Sequence, residues 1–83
     1  MKLYIITIED VYDGSSEHTT PIVKTSLEEA RQRLTELYNH AFQLYEDQFD
    51  IFDKSDNCFE MYEEGYYSQN HYSAVIDEVE IEL

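Results

Sequence analysis

From Leu3 to Tyr12 the chain reads LYIITIEDVY, which places Tyr4, Ile6 and Ile8 on one side of an extended backbone and Leu3, Ile5 and Val11 on the other. Such a run of β-branched and aromatic residues predicts a strand covered on much of both faces. Asp13-Gly14-Ser15-Ser16 is a turn signal, and after a polar loop Pro21 opens a short extended segment, Ile22-Val23-Lys24, so a wide hairpin is expected. Ser26 followed by Glu29 forms a capping box, and Glu28 adds a favourable charge near the positive end of the helix that begins there.

Along that helix Leu27, Ala30, Leu34, Leu37, Ala41 and Leu44 recur at spacings of three and four, forming one apolar stripe. Tyr38, Phe42, Tyr45, Phe49 and Phe52 repeat in the same way beside it, which predicts a helix ending between Asp47 and Asp53. The segment Asp53-Lys54-Ser55-Asp56-Asn57 reads as a turn. After it, CFEMYEE reads as a strand with Phe59 and Met61 inward and Glu60 outward. Gly65 is expected to end that strand, and the stretch from 66 to 72 is ambiguous. At the C-terminus Val75, Val79, Ile81 and Leu83 alternate with Glu78, Glu80 and Glu82, predicting a strand with one buried and one wet face, in which Asp77 interrupts the inner row as a bulge or as the strand's exposed beginning.

The predicted order is strand, strand, helix, strand, strand. One long helix is expected to pack on a three- to four-stranded, mostly antiparallel sheet, giving a single acidic α+β domain over residues 1–83. At 83 residues the chain suffices for one compact domain. The width of the helix's apolar face allows either a monomer or a homodimer.

Charge changes this picture most. Asp and Glu number 19 against 5 Lys and Arg, a formal net charge of −14, and residues 44–83 hold twelve of the acids but only one base, Lys54. A phosphate backbone or an anionic membrane would be repelled, so direct nucleic-acid and membrane binding are not expected and partners should be basic. The N-terminus lacks the features of a signal peptide, no apolar run is long enough to span a bilayer, and the lone Cys58 fits a reducing compartment; these point to the cytoplasm.

Candidate chemistry is sparse. Gly14 and Gly65 stand too far apart for a nucleotide-binding glycine loop. Cys58, His18, His40 and His71 lack zinc-ligand spacing, and Cys58 reads as a small buried hydrophobe at a strand edge rather than a nucleophile served by His71. Asp53, Ser55, Asn57 and Glu64 fit positions 1, 3, 5 and 12 of a calcium loop, but Cys58 occupies the position where the sharp turn requires glycine. No acid, base and nucleophile set stands out, so neither enzyme activity nor a cofactor is expected.

The remaining candidates belong to a binding surface. Glu78, Glu80 and Glu82 would stand about 6.7 Å apart along a strand, near the axial distance of two nucleotide steps. Glu46, Asp50 and Asp53 would form a second row along the helix, and Tyr66 and Tyr67 would add contact area of low entropy cost. In size, acidity and element order the chain resembles the small acidic inhibitors of phages and mobile elements, including DNA-mimic anti-restriction and anti-CRISPR proteins. The resemblance implies a stoichiometric inhibitor that occupies the basic groove of a host-defence nuclease or DNA-binding complex. The alternative is a small dimeric accessory protein or a ligand- or calcium-binding module without mimicry.

Overall fold

The computed structural model describes residues 1–12, 15–18, 20–63 and 70–82, with residues 12 and 15–18 described by their backbone only. One helix packs on one face of an antiparallel sheet. The elements are β1 (Lys2–Tyr12), β2 (Ser15–His18), β3 (Ile22–Lys24), α1 (Leu27–Tyr45), β4 (Ile51–Lys54), β5 (Cys58–Tyr62) and β6 (His71–Glu80). The lanes run β2-β1-β6-β5-β4, with β3 also on β1. Because β3 pairs with residues 4–6 of β1 and β2 with residues 9–12, these two short strands share one edge, and six strands occupy five lanes rather than the three or four expected.

The first and last strands form the centre of the sheet. β1 pairs with β6 in one unbroken register from Lys2↔Glu80 to Val11↔His71, so Asp77 marks no bulge. This pairing puts Ile6 beside Ile76 and Ile8 beside Ala74, while β5 sets Phe59 against Ala74 and Met61 against Tyr72. With Ala30, Leu34, Ala41 and Phe49 the aliphatic residues, Phe59 and Met61 make the buried core, Tyr72 packs half-buried against it, and among the described residues no polar or charged one is buried.

The helix begins as its capping box predicts. Ser26 has extended backbone and its side chain accepts from the Glu29 amide at 3.4 Å, satisfying one of the donors that a helix start leaves open. The end differs from expectation. α1 stops at Tyr45 with Glu46 as its C-cap, and no basic residue sits in its last turn. Glu46, Asp47 and Asp50 there oppose the negative end of the helix dipole, which disfavours continuation. Tight hydrogen bonds from the Gln48 and Phe49 amides to the Tyr45 carbonyl close the turn, and Ile51–Lys54, expected as helix end and turn, instead pairs with β5.

The aromatic stripe is therefore split between elements but remains a packed row. The Phe42 ring lies 4.8 Å from Phe52 on β4 and tilted to it, Tyr38 meets Phe59 edge-on at 5.5 Å, and Tyr45 stacks on Phe49 at 4.7 Å and lies 5.7 Å from Tyr72. Ser15 and Ser16, read as turn, belong to β2; Asp13, Gly14 and Gly65 lie outside the described residues. No helix among the described residues is long and apolar enough to cross a membrane.

A candidate interface on the uncovered sheet face

Alternation along each strand assigns every described side chain of the sheet to one of two faces. The helix covers the face of Ile6, Ile8, Phe59, Met61, Ala74 and Ile76. The opposite face has no covering element among the described residues. From the strand registers it carries Leu3, Ile5, Thr7, Glu9 and Val11 of β1, Val23 of β3, Ile51 and Asp53 of β4, Cys58, Glu60 and Tyr62 of β5, and the alternate residues His71 to Val79 of β6. Val23 is 54% exposed and Val75 41% exposed, so this face is open to water. The second apolar side of β1 is thus half-buried by its neighbours alone.

The C-terminal strand is inverted relative to the sequence reading. Val75 and Val79 were expected inward, yet they lie on the open face with Asp77, while Glu78 and Glu80 share the helix-side face with Ala74 and Ile76. The physical reason is that β6 changes character halfway along. Its helix-side row is Tyr72, Ala74 and Ile76 where the core lies, then Glu78 and Glu80 at the margin, where they become exposed.

Those two glutamates are also partly neutralised. Lys2 Nζ lies 3.4 Å from Glu78, the Tyr4 hydroxyl donates to the same carboxylate at 3.4 Å, and the N-terminal ammonium lies 3.3 Å from Glu80. The bond to Glu78, followed by the field of that carboxylate, raises the pKa of Lys2 above its ordinary value. Glu82 is exposed just beyond β6.

The expected helical row of Glu46, Asp50 and Asp53 does not exist, because the helix ends first. Glu46 caps the helix, Asp50 lies in the following bend, and Asp53 stands on β4; all three are exposed. Tyr66 and Tyr67 lie outside the described residues. The segment read against a calcium loop is a hairpin, β4 to β5, with Ser55 Oγ bonded to the Cys58 carbonyl at 3.3 Å; Glu64 lies outside the described residues.

What sequence reasoning missed is a separation of charge between the two faces. All five Lys and Arg lie elsewhere: Lys2, Lys24 and Lys54 at helix-side positions, Arg31 and Arg33 on α1. The open face carries Asp53, Glu60, Asp77 and Glu9, and of these, among the described residues, only Glu9 has a side-chain partner, His71 Nε2 at 3.0 Å. Asp53 and Glu60 are directly opposite each other on adjacent strands, both exposed, an arrangement that destabilises a sheet. They border a hollow of about 510 Å³, which Lys54, Cys58, Ser73 and Val75 also line; Cys58, expected as a buried hydrophobe, is exposed there because it falls on the open face of β5. Strand periodicity carried this signal, but only the register shows which residues stand side by side.

On the helix side, burial raises the pKa values of Tyr45 and Tyr72 above the ordinary 10.0, and the charge of Asp10 adds to both. For Tyr45, hydrogen bonding with Asp10 is a further, smaller cause of the rise. A raised tyrosine pKa means that the folded state retains the proton after the unfolded chain has lost it. This contribution is complete below about pH 10 and is lost as pH rises through the folded values. We expect the urea midpoint to fall above pH 10, and Asp10→Asn to lessen that fall while lowering the tyrosinate titration midpoint read at 295 nm. An unchanged titration in the variant would remove Asp10 from this account.

Compared with known protein families, curated proteins and solved structures, the chain matches none.

Proposed function

We propose that this protein is a stoichiometric acidic inhibitor that docks on a basic, nucleic-acid-binding surface of a partner protein, such as a nuclease complex of host defence. The observation that carries the reading is the open sheet face, where Asp53, Glu60 and Asp77 are exposed and form no salt bridge among the described residues, with Lys54 also lining the hollow that Asp53 and Glu60 border. Carboxylates held on a sheet are fixed in position by the backbone. They can therefore meet a partner's cations with little loss of freedom, as phosphates on a duplex do. The total charge of −14 would steer encounter with a basic groove, and the association should weaken as salt rises.

Glu78 and Glu80 contribute less in this reading, because the N-terminus and Lys2 already hold them. Glu46, Asp50 and Glu82 add to the long-range field.

The test is affinity capture from an extract of the encoding organism, followed by nucleic-acid competition on the retained protein. A retained nucleic-acid-binding protein, released by duplex DNA or RNA and no longer bound by Asp53→Lys/Glu60→Lys, is the expected result. The reversal Glu78→Lys/Glu80→Lys should have the smaller effect. A retained protein that ignores nucleic acid, or that binds the first variant as well as the original, overturns the reading.

A further inference from the structure

Asp77 has unusual surroundings for an exposed carboxylate. Along β6 it lies between Val75 and Val79 on the open face; across the β1 lane stands Ile5, with Val23 beyond it, and Leu3 stands opposite Val79. Val23, Val75 and Val79 are all exposed, so the aliphatic ring is uncovered. Among the described residues the Asp77 side chain makes no hydrogen bond or ion pair, although those of the neighbouring Glu78 and Glu80 both do. The fold gains nothing from a carboxylate here, since a valine would continue the aliphatic row and suit a strand better.

Resting on the basic-partner reading above, we propose that this patch is the centre of the docking surface. The partner presents an arginine to Asp77 within apolar side chains that close over Leu3, Ile5, Val23, Val75 and Val79. In water such a pair is screened and weak. Once the aliphatic ring is covered, water leaves and the attraction acts in a lower dielectric, the arrangement in which a few central residues dominate an interface. Arginine suits the position better than lysine because its planar guanidinium is less strongly hydrated and can bind a carboxylate through two parallel hydrogen bonds. The same geometry supplies selectivity: a partner with apolar groups but no cation would bury Asp77 unpaired, at a cost.

A second copy of this chain is such a disfavoured occupant. The described side chains of its open face include no lysine or arginine to meet Asp77, and each copy carries −14.

The probe is the peptide acetyl-Val-Arg-Val-amide, titrated into the whole 15N-labelled protein and compared with its citrulline analogue and with acetyl-Gly-Arg-Gly-amide. Saturable shifts centred on Ile5, Val75, Asp77 and Val79 are expected, with binding at least about fivefold weaker for either control peptide and for Asp77→Asn. That variant should melt no lower than the original, which separates a binding role from a structural one. Equal binding of the three peptides, shifts spread evenly over the acidic surface, or an Asp77→Asn variant that binds as well overturns the inference. Concentration-dependent self-association that maps to the same residues overturns it in favour of a second copy. Failure confined to these arms, with nucleic-acid competition at Asp53 and Glu60 intact, leaves the inhibitor reading standing; loss of that competition overturns the reading itself.

Discussion

Leu34→Ala is expected to lower the melting midpoint by at least about 8 °C. Leu34 has no exposed surface and sits between Ala30 and Ala41 on the buried stripe of α1, within the core formed with Ile6, Ile8, Phe59, Met61 and Ile76. Truncating a buried leucine costs about 2–5 kcal/mol, and in a domain of this size each kcal/mol shifts the midpoint by roughly 4–8 °C. Total stability at this length is on the order of 4–12 kcal/mol, so the variant loses a large part of it. Leu44→Ala is the matched control: Leu44 belongs to the same sequence periodicity but is 60% exposed, and its truncation should fall within about 0.5 kcal/mol. Circular dichroism melts of the two variants give the comparison. A Leu34→Ala midpoint within a few degrees of the original would mean that the helix is not what closes the core.

The contrast between Leu34 and Leu44 also indicates how much of the fold was legible in the sequence. Helical periodicity and the Ser26 cap placed α1 to within a residue at its start, because both are local signals. Its end was misjudged because Phe49 and Phe52 continue a helical spacing while their backbone leaves the helix; the aromatic contacts that hold them come from β4 and the turn. The α+β class and the inward side of β5 followed from pattern alone. The faces of β6 did not, since a strand whose helix-side row turns from Tyr72, Ala74 and Ile76 to Glu78 and Glu80 presents two opposite amphipathic patterns, and only pairing with Ile6 and Ile8 decides between them.

The candidate site was legible as a quantity of charge but not as an arrangement. Exposure of Glu46, Asp50, Asp53, Glu78, Glu80 and Glu82 agrees with expectation. Their grouping does not, because the two rows depended on a longer helix and on the inverted strand. Asp53 and Glu60 are seven positions apart in sequence and became neighbours only through the hairpin register Asp53↔Glu60.

Glu60→Lys is expected to stabilise the fold while weakening partner binding at least about tenfold. Glu60 is exposed on the open face, directly opposite Asp53 on one side and Ser73 on the other. Lysine there would replace a like-charge pair by an opposite-charge one, and cross-strand pairs of this kind contribute about 0.2–1 kcal/mol. By the scaling used for Leu34, the melting midpoint should rise by about 1–8 °C. Binding should move the other way. A basic partner would lose one carboxylate and meet an ammonium in its place, and like-charge juxtaposition in an interface costs several kcal/mol, of which about 1.4 kcal/mol already gives a tenfold loss. Opposite signs of the two effects are diagnostic, because a residue retained for the fold would show stability and binding falling together. The double variant Asp53→Lys/Glu60→Lys restores like charge across the strands, so its melting midpoint should return towards that of the original while its binding falls further. If Glu60→Lys melts higher and still binds the partner unchanged, Asp53 and Glu60 form only a solvated face, and the docking surface lies elsewhere.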